Sequence, residues 1–75
     1  MPRHLRKRSL RLAGHDTSLA LEPAFWEVLE AEAARRGLSL AALVAEQDAA
    51  RAETGEPLAS RLRVFALGCI RTPRG

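Results

Sequence analysis

Two short stretches of alternating residues stand directly before the first helical pattern of this chain. In residues 8–12 and again in residues 17–21, leucines alternate with polar or small side chains, as in a strand with one buried face. Residues 13–16, Ala-Gly-His-Asp, are typical of a turn. Because strands this short need a partner, we expect the two stretches to pair with each other, with a second copy of the chain, or with both.

Three helices are predicted after the second stretch. The first begins at Pro23 and ends at Gly37, since proline suits the first helical position and glycine the left-handed residue after the last. Ser39 is a good N-cap for a second helix, which should run to about Glu53. A third helix is predicted over residues 57–71. Its apolar side chains cover most sides, so we expect it to be buried.

The length of 75 residues allows a single domain with a thin core. A chain this small buries only about 60% of its unfolded surface, so a disulfide, a metal or a second chain usually adds to its stability. The single cysteine, Cys69, cannot form an intrachain disulfide, and together with His4 and His15 it matches no zinc-ligand spacing. We therefore expect no metal site, and an obligate homodimer.

Positive charge is concentrated at the start of the chain. Residues 1–12 contain five Lys and Arg and no acid, whereas residues 22–56 contain eight acids and three arginines. This polarity favours a polyanionic partner, although a basic terminus can also serve solubility alone. We expect a flexible basic arm over residues 1–7, one domain over residues 8–71 and a frayed tail over residues 72–75.

Neither a membrane protein nor an enzyme is predicted. The apolar runs are a few residues long, against the roughly 20 that a bilayer requires, and no signal peptide follows the basic start. We therefore expect a cytoplasmic, nucleoid-associated protein. Cys69 lies on the apolar face of the third helix, where a thiol is usually inert packing. No carboxylate–histidine pair and no glycine-rich phosphate loop is present, so we expect no catalysis and no cofactor.

The order of strand, helix, Gly-x-Ser turn and second helix resembles the ribbon–helix–helix domain of MetJ/Arc-type repressors. The resemblance rests on Thr-Ser-Leu-Ala-Leu-Glu-Pro-Ala-Phe-Trp at 17–26 and Gly-Leu-Ser-Leu-Ala-Ala-Leu-Val at 37–44. The basic leader and the downstream helix are similar to a small bacterial branch of that family. The resemblance implies a mainly helical fold with a short β-ribbon, built as an intertwined dimer with a third C-terminal helix.

The resemblance also implies a binding mode, in which the ribbon lies in the major groove of double-stranded DNA and the start of the second helix holds a phosphate. Ser18 and Ala20 are small for groove positions, so we expect the strand at 8–12 to flank or extend the ribbon. Most of the affinity should then come from Arg6, Lys7, Arg8 and Arg11. The alternative is a disordered basic arm that contacts phosphates nonspecifically. The predicted DNA-binding residues are Arg6, Lys7, Arg8, Ser9, Arg11, Ser18, Ala20, Ser39 and Leu40. The predicted dimer core contains Leu19, Leu21, Phe25, Trp26, Leu29, Leu40, Leu43 and Val44.

Three functions are compatible with this pattern. The first is a homodimeric DNA-binding protein that regulates transcription. The second is an antitoxin or adaptor whose helix at 57–71 docks a partner protein, and the third is a ribbon–helix–helix dimer that no longer binds DNA. The simpler explanation of the third helix is that it enlarges the core.

Overall fold

A β-hairpin precedes three helices in the computed structural model, which describes residues 4–71. The elements are β1 (Arg6–Leu12), β2 (His15–Leu21), α1 (Pro23–Arg36), α2 (Leu40–Arg51) and α3 (Leu58–Arg71). The hairpin packs on the helices, with β1 against α2 and β2 against α3, and the three helices pack against one another. The predicted fold class, mainly helical with a short β-ribbon and a third helix, is confirmed.

The two alternating stretches pair with each other as antiparallel strands of one chain. Ala13 and Gly14 connect them with φ angles of 48° and 89°. Positive φ at both central residues is the signature of a type I′ turn, whose twist matches that of the flanking strands. The turn sets Leu12 opposite His15 and thereby fixes the register of the whole ribbon.

The helix ends follow local chemistry. Gly37, at φ 72°, donates its backbone N–H to the last carbonyls of α1, and the Ser39 hydroxyl accepts the Ala42 N–H at 3.0 Å. Both predicted ends are confirmed. In contrast, α2 ends at Arg51 rather than Glu53, because the chain turns there, with the Gly55 N–H donating to the Arg51 carbonyl at 2.8 Å. α3 begins at Leu58, one residue later than predicted.

One chain closes its own hydrophobic core. The buried apolar residues come from the ribbon and all three helices: Leu12, Leu19, Leu21, Trp26, Leu29, Ala33, Leu43, Val44, Leu58, Leu62 and Ala66. Of the predicted dimer core, only Phe25 and Leu40 are half-buried, and both pack against this cluster. These side chains are therefore buried within a single chain, and the homodimer stays a prediction.

The third helix is amphipathic rather than buried all round, which corrects the expectation for this segment. Leu62 and Ala66 lie in the core. Val64, Leu67 and Ile70 remain 68%, 45% and 61% exposed. We call these three residues the α3 stripe. The neighbouring elements pack against only one side of α3. This helix therefore has more apolar side chains than its contact face can bury.

The boundary of the predicted basic arm also changes. β1 begins at Arg6, so Arg6 and Lys7 belong to a strand and not to a flexible segment. Their backbones are held in register opposite Leu21 and Ala20. The first three residues of the predicted arm and the predicted tail at 72–75 lie outside the described residues.

Candidate nucleic-acid interface

The ribbon has two chemically different faces. Side chains alternate along each strand, so the face that carries Leu12, Leu19 and Leu21 packs on the helices. The opposite side, which we call the outer face, is polar and largely exposed. It consists of three cross-strand pairs: Lys7 with Ala20, Ser9 with Ser18, and Arg11 with Asp16.

The outer face carries a modest positive charge. Lys7 and Arg11 against Asp16 leave a net charge of +1. The Arg11 Nη1 donates to Asp16 Oδ1 at 3.3 Å, and its Nη2 donates to the Gly14 carbonyl at 3.4 Å. No ion pair of Lys7 is found among the described residues. The outer face therefore presents one unpaired ammonium, one tethered guanidinium and a row of small polar groups.

Arg8, a predicted DNA contact, lies on the opposite side of the ribbon. Its guanidinium donates to Glu30 at 2.6 Å and lies 5.1 Å from the centre of the Trp26 ring. The strand period of two explains this placement, because Arg8 shares its face with Leu12. The structure thus gives Arg8 a packing contact with α1 and removes it from the outer face.

Arg6 occupies an intermediate position at the start of β1. Its backbone carbonyl accepts the Trp26 Nε1–H at 2.7 Å, which holds the strand end against α1. Its side chain is exposed and lines an open cleft of about 360 Å³ with Arg8, Pro23, Trp26, Glu27 and Glu30. Two arginines and two glutamates balance each other there, so the cleft itself does not favour a polyanion.

The predicted phosphate contact at the start of α2 is exposed in part. The Ser39 side chain is accessible, but its hydroxyl caps its own helix, and Leu40 is half-buried against the core. No hydrogen bond or ion pair joins either residue to the outer face within residues 4–71. The structure therefore places five residues of the predicted site on the outer face and leaves Arg6, Arg8 and this pair apart from it; the five are Lys7, Ser9, Arg11, Ser18 and Ala20.

Most arginines of the helices are paired with acids, a feature that the sequence pattern did not lead us to predict. The buried Glu32, only 3% exposed, accepts hydrogen bonds from Arg35 at 2.6 Å and from Arg36 at 2.7 Å. Their spacing of three and four residues along one helix was the available signal. The remaining pairs are Arg36–Glu46, Arg51–Asp48, Arg61–Glu56 and Arg63–Glu22.

The ionisation of these groups agrees with the pairing. The hydrogen bond from Arg63 lowers the pKa of Glu22, and hydrogen bonds from Thr54 and then Arg61 lower the pKa of Glu56. The Glu32 carboxylate raises the pKa of Arg35. Within residues 4–71, the Lys and Arg side chains that form no ion pair with an acid are Arg6 and Lys7 of the ribbon and Arg71 at the end of α3.

Other kinds of site are not found in the described part of the chain. Within residues 4–71, no group of three or more His, Cys, Asp or Glu side chains is placed to hold a metal ion. None of the described helices has the length and apolar character needed to span a bilayer.

Comparison with known proteins decides the family. A family model described as a ribbon-helix-helix domain matches residues 5–70. The chain belongs to the ribbon–helix–helix family. This ribbon–helix–helix chain is similar to the solved structure of an uncharacterized protein from Bordetella pertussis Tohama I, with 42% sequence identity and a TM-score of 0.71. The likeness covers 84% of this chain and 53% of the other, so this chain spans about half the length of that neighbour. The search of curated proteins found no match.

Proposed function

We propose that this ribbon–helix–helix protein is a homodimeric DNA-binding protein that regulates transcription and contacts duplex DNA through the outer face of its ribbon. Members of the family are typically DNA-binding regulators or antitoxins. The observation that carries the proposal is the outer face itself, which is exposed, polar and basic on a rigid ribbon backed by the core. In this arrangement Lys7 neutralises a phosphate, Arg6 adds charge at the ribbon end, and Ser9, Ser18 and Ala20 lie against the groove.

The second copy joins the ribbon at β2. A two-stranded ribbon leaves one edge of each strand without a β-partner within the described chain. Two β1 strands side by side would set Lys7, Arg8 and Arg11 against like charges, which disfavours that edge. β2 carries no Lys or Arg, and it is also the strand that bears the family resemblance. Pairing of two β2 strands would give a four-stranded sheet with β1 on both outer sides.

The two central β2 strands of such a sheet suit the major groove, which admits a two-stranded ribbon. Strands lie about 4.8 Å apart, so its outer strands are about 14 Å from each other. The major groove is about 12 Å wide, which places the two β1 strands near the phosphate rows and the small residues Ser18 and Ala20 over the groove floor. This placement supports a phosphate contact for Lys7. We also place the protein in the bacterial cytoplasm, associated with the nucleoid, because that is where duplex DNA is available.

The salt dependence of binding tests the DNA contact. We expect wild-type protein to bind duplex DNA with an affinity that falls steeply as salt rises. Lys7→Ala should make the slope of log affinity against log salt shallower by about 0.9 for each phosphate that the variant no longer neutralises. Arg71→Ala removes the same charge at the end of α3 and should leave the slope unchanged. No binding to any duplex, or equal slopes for Lys7→Ala and wild type, would contradict the proposal.

The mass of the protein in solution tests the dimer. In a hairpin with a two-residue turn the pair next to the turn is hydrogen-bonded, so Ser9 and Ser18 form a non-bonded pair whose amides point to the open edges. Ser18→Pro should therefore block β2 pairing and give a monomer by light scattering, since proline removes the edge donor. Ser9→Pro makes the same change on the β1 edge and should remain dimeric. A dimeric Ser18→Pro protein with intact helical circular dichroism would overturn pairing through β2.

The α3 stripe supports a second candidate, an adaptor or antitoxin that binds another protein. Val64, Leu67 and Ile70 form a contiguous exposed apolar surface on one helix, and such surfaces commonly mark interaction sites. The same mass measurement shows whether the ribbon or the α3 stripe is the surface that joins two copies of the chain. A Val64→Ser, Leu67→Ser double variant should stay dimeric if the ribbon pairs the chains, and should become monomeric if the stripe does.

A further inference from the structure

The outer face contains one acidic residue, Asp16, where a DNA-binding surface would be expected to avoid negative charge. Asp16 lies directly opposite Arg11, and its Oδ1 accepts the Arg11 Nη1–H at 3.3 Å. Both side chains are more than two-thirds exposed, and an ion pair of that kind contributes little to stability. The contact instead favours positions in which the guanidinium lies toward β2.

Asp16 and Gly14 together accept hydrogen bonds from Arg11 but do not use all of its N–H donors. The Nη1 donates to Asp16 and the Nη2 to the Gly14 carbonyl at 3.4 Å. A guanidinium carries five N–H donors in a planar fork, so three donors remain available. A bidentate contact with the O6 and N7 acceptors of guanine needs two of them.

The direction of the tether leads toward the groove. Asp16 lies on β2, so the pair draws the Arg11 side chain from β1 toward β2, which forms the middle of the proposed four-stranded sheet. Lys7, the other long cation of the face, stands opposite Ala20 and has no such partner among the described residues. The remaining groove residues, Ser9, Ser18 and Ala20, are too short or too weakly selective to distinguish base pairs strongly.

We propose that Arg11 is the specificity-determining residue of the DNA interface, that it recognises guanine in the major groove, and that Asp16 is its positioning residue. The inference rests on the proposed DNA-binding function. It assigns the two cations of the outer face different tasks: Lys7 contributes affinity for any duplex, and Arg11 distinguishes one base from the others. It also explains the acid on this face. Asp16 lowers the affinity for duplex DNA of any sequence, but it positions the Arg11 guanidinium.

The test is selection from a pool of random duplexes with wild type, Arg11→Gln and Asp16→Asn. Wild type should enrich duplexes with guanine at fixed positions. Arg11→Gln loses the charge and replaces the guanidinium by an amide that suits adenine, so it should bind mixed-sequence DNA more weakly and lose the guanine preference, a change of about 5- to 150-fold in discrimination. Arg71→Gln, the same exchange at the end of α3, should leave the preference intact.

Asp16→Asn tests whether Asp16 positions the Arg11 guanidinium or only stabilises the turn. Removing one negative charge from the face should tighten binding to mixed-sequence DNA and steepen its salt dependence, while the guanine preference falls. If Asp16 only supports the turn, the variant keeps the wild-type ranking of sequences. Retained guanine enrichment in Arg11→Gln, or none in a wild-type protein that binds DNA, overturns the inference alone. A wild-type protein that binds no duplex instead overturns the proposed function.

Discussion

Leu62→Ala should lower the free energy of unfolding by about 2–5 kcal/mol. Leu62 is fully buried on the core face of α3, and α3 packs against both α1 and α2. Removing three buried carbon atoms loses their transfer free energy and leaves a cavity that the surrounding helices cannot fully close. Because the net stability of so small a domain is only about 3–5 kcal/mol, we expect this variant to be largely unfolded near 37 °C.

Urea unfolding followed by circular dichroism measures this effect. Val64→Ala lies on the same helix, two residues further on, and is 68% exposed, so its stability should stay within about 0.5 kcal/mol of wild type. Comparing the free energies of unfolding of the two variants shows whether α3 is part of the cooperative domain or a segment attached to it. Wild-type stability in Leu62→Ala would show that the ribbon and the first two helices fold without α3.

Trp26→Ala should destabilise the protein by about 3–5 kcal/mol, because Trp26 connects the ribbon to α1. Its ring is 2% exposed, its Nε1–H donates to the Arg6 carbonyl at 2.7 Å, and its face contacts the Arg8 guanidinium. The alanine variant removes all three interactions. Thermal unfolding should show the loss directly, and Phe25→Leu, at the half-buried neighbouring position, should cost much less.

Trp26→Phe isolates the hydrogen bond within this set. The variant keeps an aromatic ring in the core, deletes the donor and removes part of the ring volume, so we expect a loss of at least about 1 kcal/mol and less than for Trp26→Ala. Amide hydrogen exchange at the start of β1 should become faster, since Arg6 is no longer tied to α1. Unchanged exchange there would mean that strand pairing alone holds the end of the ribbon.

Local rules made the element boundaries predictable. Proline at position 23, glycine at 37 and serine at 39 each act within one helical turn, so the sequence alone places those ends. The pairing of the ribbon was not predictable in the same way. Alternation of leucines is identical whether the partner strand is in the same chain or in another. The turn signal was also weak, because Ala13 adopts a positive φ that alanine seldom takes.

The outer face was partly predictable. A period of two correctly groups Lys7, Ser9 and Arg11 on one side, and the same period assigns Arg8 to the other. The prediction of Arg8 as a DNA contact rested on its charge alone, and the structure places its side chain against α1. The extent of burial in α3 was harder to predict. The helix has apolar residues on several sides, and the sequence does not show which side packs against a neighbouring element. The contacts that fix Arg11 depend on cross-strand register, which follows from the turn. The DNA-binding roles themselves remain predictions.

Each chain buries its hydrophobic core without a partner, and this affects how two copies can associate. In an intertwined dimer, partners can separate only by unfolding, because each completes the other's interior. Here the ribbon and helices of a single chain already enclose their leucines. In the proposed dimer, association through β2 edges would join bodies that are folded beforehand, so we expect subunits to exchange between dimers while remaining native.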